Sequence, residues 1–357
     1  MGTENRNGAR GGASRTTPPR PADIAAVFPR LAPLARAATR LHPRPGSPSR
    51  QDSSVGGPLL WPADEPWPHC DCPHRVSPLL PPTSPGEVRL QREVRAGARG
   101  RPPGDTGWPL RMVPATAGAG AGRPPAGPVA MLALAQLYVR DVPALRPPGR
   151  ADLLQVLWCP FDHRPTGLPR TALFWRSVTA VAEILTAPPE PAAVQYDDYV
   201  PEPCLLAPEQ VTEYPVAAEL EPDLRAEVRA WSARQAVAAA PGSTGAGGGD
   251  DAYYDRELAV SPGWKVGGLP SWSATDPRPL HCCACGSRMQ PMLTVASYEW
   301  QPNGPGWIPY EDRAAAAAPT GYPAPATPTM IGLAGGCNQQ IYACPASPDH
   351  PHAELLQ

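Results

Sequence analysis

Four features recur in the same order in the two halves of the chain, and this internal repeat constrains the fold more than any other pattern. They are a Val-Gly-Gly stretch ending in Trp, a His-Cys pair, an apolar run beginning Met-Leu, and a stretch from Gln to His that contains Cys-Pro. They occupy 55–61, 69–70, 131–132 and 155–163, and again 266–272, 281–282, 292–293 and 340–350. The repeat predicts a duplicated unit whose halves pack together, with glycine pairs at tight turns and a Trp filling each core.

The high content of proline and glycine limits how much of the chain can form long helices. The 357 residues include 54 Pro and 33 Gly, which exclude a mainly helical bundle. Ten Trp, ten Tyr and a hydrophobic fraction of 42% argue equally against a wholly disordered chain. Short apolar runs bounded by turn residues predict strands. We therefore expect an α+β fold of two related halves, with mostly antiparallel sheets, a few short helices and long Pro/Gly-rich loops.

The composition also predicts how the chain is divided. We expect a disordered tail over 1–20 and a first repeat half over 21–215, with a disordered insert at 75–128. A helix and a flexible linker follow at 216–250, where Leu220, Leu224, Val228 and Trp231 share one helical face. The second repeat half, at 251–357, carries the clearest metal-binding pattern.

That pattern is a Cys-x-x-Cys pair followed by a distant Cys and His. Cys282 and Cys285 form a knuckle that points two sulfurs at one ion, and Gly286 lets the backbone turn after them. Cys344 and His350 complete four tetrahedral ligands, the Cys3His set of a closed structural zinc site. His352 is the alternative fourth ligand, and we prefer His350 because His163 has the same Asp-His context in the first half.

The repeat predicts a second metal site in the first half. Its candidate ligands are Cys70, His74, Cys159 and His163, with His69 and Cys72 as competitors. The alternative is a decayed site, in which the cysteines are buried and the histidines are exposed.

Two other interpretations of the cysteines stay open: ordinary core residues, or a thioredoxin-like redox pair. A redox Cys-x-x-Cys begins a helix after a strand, whereas Pro277, Pro279 and Pro291 flank this one. Cys283 and Cys337 are expected to be spare thiols, and Cys204 a core residue.

Charge and motifs exclude several function classes. A net charge of −2 provides no basic field for a phosphate backbone, so we expect no nucleic-acid partner. No apolar run reaches the ~18 residues that span a bilayer, and 1–17 lacks the apolar core of a signal peptide. We therefore expect a cytoplasmic protein without a membrane partner. Because clustered cysteines in a reducing compartment indicate metal or redox chemistry, the nine Cys direct attention to the sites above.

Several stretches resemble actinobacterial members of the YwqG-like family, a domain of unknown function. They are LHPRPGSP at 41–48, VGGPLLWPADEPWP at 55–68, LLQVLWCPFDH at 153–163, VPEPCLLAPEQVTEYP at 200–215, GWKVGGLPSW at 263–272, CCACGSRM at 282–289 and CPASPDHPH at 344–352. The resemblance covers about 21–357, apart from the insert and the linker. It implies an α+β fold with antiparallel sheets and brings no established reaction.

A shorter similarity, over 265–272 and the following Cys-x-x-Cys, is to the programmed cell death protein 2 family, which includes dedicated chaperones for a ribosomal protein. The chain departs from a plain Cys-x-x-Cys at Cys282-Cys283-Ala284-Cys285, which leaves the choice of sulfurs open.

Three functions follow as hypotheses. The first is a zinc-stabilised, non-enzymatic protein that binds another protein as a chaperone or adaptor. The second is a zinc-dependent, hydrolase-like enzyme, which requires an open position on the metal. The third is a redox or metal sensor with reachable Cys282 and Cys285.

Overall fold

The computed structural model describes residues 14–74, 83–99, 127–239, 252–301, 304–318 and 321–357. It confirms the α+β class, because antiparallel sheets dominate and short helices lie around them. Within these residues, no helix is long and apolar enough to cross a bilayer. The linker is predicted at 238–250, and its residues 240–250 lie outside the described residues, as do most of the predicted insert and residues 1–13 of the predicted tail.

The strands of the described residues form two large sheets and one small one. They are β1 (Arg36–Arg40), β2 (Arg44–Pro45), β3 (Ser54–Val55), β4 (His69–Cys70), β5 (Val129–Ala130), β6 (Leu132–Tyr138), β7 (Leu153–His163), β8 (Leu168–Arg176), β9 (Cys204–Leu205), β10 (Glu209–Glu213), β11 (Lys265–Gly267), β12 (Gln290–Ala296), β13 (Asn338–Ala343) and β14 (Ala353–Leu356). One six-stranded sheet has the order β10-β1-β11-β12-β13-β14, and the other has the order β2-β9-β3-β6-β7-β8. Strands β4 and β5 pair separately.

The two large sheets have a similar strand order. From the third position onward, β3, β6, β7 and β8 follow one another in one sheet, and β11, β12, β13 and β14 do so in the other. One apolar core contains residues of both sheets, among them Val156 and Trp158 of β7 and Leu293 and Ile341 of β12 and β13. The apolar runs that predicted these strands are therefore buried between the sheets. The duplication of the unit stays a prediction.

The α-helices of the described residues lie mainly outside this core, to which they contribute Val88. They are α1 (Ile24–Val27), α2 (Pro85–Arg99), α3 (Pro222–Ala239), the single turn α4 (Ala252–Tyr254) and α5 (Arg313–Ala317). A π-helical turn, Asp255–Ala259, continues α4. Among the described residues, six 3-10 turns occupy Pro29–Leu34, Val178–Ala180, Asp197–Tyr199, Ala217–Glu219, Pro305–Trp307 and Tyr310–Asp312. Helix α3 lies where the sequence predicts a helix, and it buries Leu224 and Val228 against Ile24 and Leu31.

Two parts of the sequence prediction were wrong. Helix α2 lies inside the expected disordered insert, where Ser84 caps its first turn through hydrogen bonds with Glu87, and Val88 is buried. Residues 14–20, expected in the disordered tail, are held by hydrogen bonds to the second half of the chain. Long-range contacts order both segments despite their composition.

A buried ion pair links β11 to β10 across β1, which lies between these two strands in the sheet. Lys265, the only lysine in the sequence, places its Nζ 2.7 and 2.9 Å from the carboxylate oxygens of Glu213. Side-chain exposure is 2% for Lys265 and 0% for Glu213. Gly268 follows with a φ of +72°, and a Cβ there would come within 2.7 Å of the Cβ of Ala38 and collide with Glu213. The second Val-Gly-Gly stretch therefore needs its last glycine for both conformation and space.

Candidate metal centres

The four candidate residues of the second half lie together. Cys282 and Cys285 stand in a turn in which the Cys282 amide donates to the Ser287 carbonyl and the Gly286 amide donates to the Cys282 carbonyl. Gly286 has a φ of +73°, so the turn uses the left-handed conformation that favours glycine. Strand β12, and no helix, follows this turn, so the local structure differs from that of a thioredoxin-like redox pair.

The remaining two residues of this group come from the chain between β13 and β14. The Cys344 Sγ lies 3.5 Å from the Cys285 Sγ and 3.3 Å from the His350 Nδ1. The same Nδ1 lies 3.6 Å from the Cys282 Sγ. In a tetrahedral zinc site with Zn–S of about 2.3 Å and Zn–N of about 2.1 Å, ligand atoms lie about 3.4–3.8 Å apart. The spacing of these donors therefore fits one tetrahedral ion.

The four candidate residues of the first half also lie together. Cys70 is in β4, His74 follows that strand, and Cys159 and His163 are in β7. The Cys70 Sγ is 3.8 Å from the His163 Nε2, and the rings of His74 and His163 are 5.0 Å apart. In each group of four, the ligand atoms all lie within 4.8 Å of one another. Within the described residues, these are the two Cys/His groups that could hold a metal ion.

The two groups differ in exposure. In the first group, Cys70, Cys159 and His163 are buried and His74 is half-buried. In the second group, Cys282 and Cys344 are buried, His350 is half-buried and Cys285 is exposed. The decayed-site alternative expected exposed histidines, which the first group does not have.

Hydrogen bonds with neighbouring residues change the pKa values of thiols in both groups. Hydrogen bonding between Cys70 and Cys159 lowers the pKa of Cys70 well below its ordinary value and raises that of Cys159. Hydrogen bonds from Ser287 lower the pKa of Cys285 to about 6. The hydrogen bond with Cys344 raises the pKa of His350. Each group thus favours a thiolate, which is the form that binds metal.

A tryptophan from each Val-Gly-Gly stretch packs beside one group. Trp61 lies in an apolar cluster with Cys70 and Cys159, and Trp272 packs against a cluster that contains Cys282 and Cys344. In the first half, the donors lie in β4, just after β4 and in the last part of β7. In the second half, they lie in the turn before β12 and in the segment after β13.

The other candidates have different surroundings. The ring of His69 contacts the carbonyl of Trp67 at 2.8 Å, and Arg170 donates to the Cys72 Sγ at 2.8 Å. His352, the alternative fourth ligand, lies 2.9 Å from the Thr171 hydroxyl in β8, outside the second group.

The three remaining cysteines lie outside both groups. Cys283 is exposed and Cys337 is half-buried. Cys204 is buried in the large core, as the sequence predicted, and contacts the Pro328 carbonyl.

One polar cluster was missed by reasoning from the sequence. Arg40 and His42 are fully buried, Glu299 is 1% exposed, and Glu209 contacts the His42 Nε2 at 3.1 Å. Burial lowers the pKa of His42 to about 4. These residues belong to no motif, and the one available signal was a pair of ionisable residues next to the apolar Leu41.

Neither a protein-family model nor a curated protein matches the chain. The resemblance to the YwqG-like family therefore stays a prediction.

Proposed function

We propose that the chain binds two zinc ions as structural elements, one at Cys282, Cys285, Cys344 and His350 and one at Cys70, His74, Cys159 and His163. The observation that carries this proposal is the convergence of four Cys/His donors within 4.8 Å in each group. Thiolate and imidazole in a four-donor set suit zinc better than the oxygen-preferring magnesium or calcium ions. Four protein donors also leave no open position for a water or a substrate.

The ions would add cross-links where the short turns have little regular structure of their own. In the second half, an ion would join the turn around Cys282 to the segment after β13. In the first half, an ion would join the two-residue strand β4 to the long strand β7. A structural zinc contributes its binding energy to folding, so loss of a ligand should cost metal and stability together.

We further propose that the protein works by binding another protein, as a chaperone or adaptor in the cytoplasm. The closed donor sets support a structural role for the metal. The exposed rings of Tyr298 and Tyr310 are of the type that protein interfaces enrich. The proposed relationship to the YwqG-like family adds no reaction.

Metal analysis of the full chain tests the zinc proposal. We expect two zinc ions in the wild type, one after His350→Ala and one after His163→Ala, with lower thermal stability in both variants. His352→Ala is the matched control and should keep both ions. A stable His350→Ala protein that retains two zinc ions would refute the structural assignment and favour a hydrolase-like site with three protein ligands. Affinity capture with mass spectrometry then tests for a protein partner.

The exposure of Cys285 favours a redox or metal sensor as the second candidate. Peroxide would then release zinc from the second group while the fold and the buried first group persist. Unchanged zinc content under peroxide, in the wild type and in Cys283→Ser, would exclude the sensor.

A further inference from the structure

Residues 14–20, which we call the N-terminal segment, fill a groove on the body of the protein. The groove is lined by Arg40, Glu209, the π-helical turn and the two 3-10 turns at Pro305–Trp307 and Tyr310–Asp312. Two backbone amides of the segment are bound: Thr16 donates to the Glu311 carboxylate at 2.9 Å, and Thr17 donates to the Glu209 carboxylate at 2.7 Å. The Tyr310 amide donates to the Thr16 carbonyl at 3.0 Å. The segment is therefore held as a bound peptide would be.

The groove selects a hydroxyl group at position 17. Arg40 donates to the Thr17 Oγ1 at 2.8 Å, and the same hydroxyl donates to the Glu209 carboxylate. A valine at this position has the same shape but could form neither of these two hydrogen bonds. Pro18 follows and is buried. Because its ring fixes the backbone, proline lowers the entropy that an extended peptide loses on binding.

The groove also favours an arginine at position 20, three positions after Thr17. The guanidinium of Arg20 lies 3.5 Å from the centre of the Trp307 ring. It donates to the carbonyls of Glu257 at 3.0 Å and Gly306 at 2.6 Å. Stacking together with a planar set of donors is a property of arginine that lysine does not share.

The floor of the groove keeps polar groups that the fold alone does not satisfy. The His42 Nδ1 and the Glu299 Oε2 lie 3.8 Å apart, and neither has a hydrogen-bond partner in the described part of the chain. The Nε of Arg40 is also without one there. Buried polar atoms without a partner cost stability, and a bound water or ion is one way in which such atoms are satisfied.

We propose that this groove recognises a Thr-Pro-x-Arg segment of another protein, and that the chain's own residues 14–20 occupy the groove until such a segment displaces them. This inference rests on the proposed protein-binding role and names the chemistry of the partner. A tethered occupant acts at an effective concentration in the mM range, so the intact segment masks the groove from a free peptide. Weakening the segment should therefore uncover the groove.

The test measures fluorescence anisotropy of a labelled nine-residue peptide, SRTTPPRPA, which copies residues 14–22. The two proteins are the full wild-type chain and its T17V/R20A variant. We expect the peptide to bind the variant at least tenfold more tightly than the wild type, because its competitor is weakened. A peptide carrying R20A should bind the variant at least tenfold more weakly than the unchanged peptide. Equal binding of the two peptides, or no binding to a folded variant, overturns the proposal.

A second measurement uses the wild-type chain and covers the case in which the variant does not fold. Excess SRTTPPRPA peptide should accelerate hydrogen exchange at the amides of Thr16 and Thr17, and the R20A peptide should not. Unchanged exchange with both peptides overturns the displacement. If the wild-type chain is a dimer and the T17V/R20A variant is a monomer, the groove binds a second copy of this chain. That result would overturn the proposal that the partner is another protein. Zinc content is measured in parallel, so failure of the zinc proposal is seen separately from failure of this one.

Discussion

Replacing Lys265 with methionine should destabilise the protein strongly, because it leaves the carboxylate of Glu213 buried without its cation. The substitution keeps most of the apolar stem and removes two hydrogen bonds to Glu213 and one to the Leu269 carbonyl at 2.8 Å. Removing one partner of a buried ion pair costs about 3–5 kcal/mol. Glu213 still accepts from the amides of Ser261 and Leu269, at 2.9 and 2.7 Å, so we expect about 3 kcal/mol.

Equilibrium urea unfolding followed by tryptophan fluorescence measures this loss. The matched control is Arg30→Met, which breaks the exposed pair with Glu227 and should change stability by less than about 1 kcal/mol. The double variant K265M/E213Q should recover at least half of the loss, because the unpaired charge is gone. A Lys265→Met protein within about 1 kcal/mol of the wild type would refute the importance of the pair.

Three further predictions concern metal binding, pH and backbone conformation. His350→Ala should lose one of two zinc ions by elemental analysis while His352→Ala keeps both, and equal losses would contradict the ligand assignment. The pKa of His42 is lowered to about 4 in the folded chain, and the unfolded value is about 6.5. The unfolded chain therefore binds more protons between these pH values, so stability falls as the pH drops from 6.5 towards 4. His42→Asn, which tolerates the local φ of 45°, should remove about 2 kcal/mol of that acid sensitivity in urea unfolding at pH 7.5 and pH 5, and an unchanged difference would contradict this. Gly268→Ala should lower the free energy of unfolding by more than about 1 kcal/mol, whereas Gly97→Ala in α2, where a Cβ meets nothing within 4 Å, should raise it by about 0.5–1 kcal/mol.

The clustering of the candidate ligands could be predicted because part of each group is local in sequence. Cys282 and Cys285 define a turn by themselves, and the repeat directs attention to Cys344 and His350 at the end of a matching strand. The strand runs place these distant residues beside the turn, since β12 and β13 are neighbours. That the groups hold zinc stays a prediction.

The groove of the N-terminal segment could not be found in this way. Thr17 and Glu209 are 192 positions apart, and Arg20 and Gly306 are 286 apart, so no local pattern joins them. Composition also misled, because the Pro- and Arg-rich residues 14–20 resemble a solvated tail. Helix α2 is different, since a Ser-x-x-Glu capping signal beginning at Ser84 was visible in the sequence.

The burial of Lys265 has a practical consequence for the chemistry of the surface. Since the chain has one lysine and that lysine is 2% exposed, the native protein presents no accessible ε-amine. Acylating labels, amine-directed cross-linkers and lysine-modifying enzymes should therefore leave Lys265 unmodified in the folded protein and react with it only after unfolding. An ε-amine reagent thus reports global unfolding at one atom, the Nζ of Lys265.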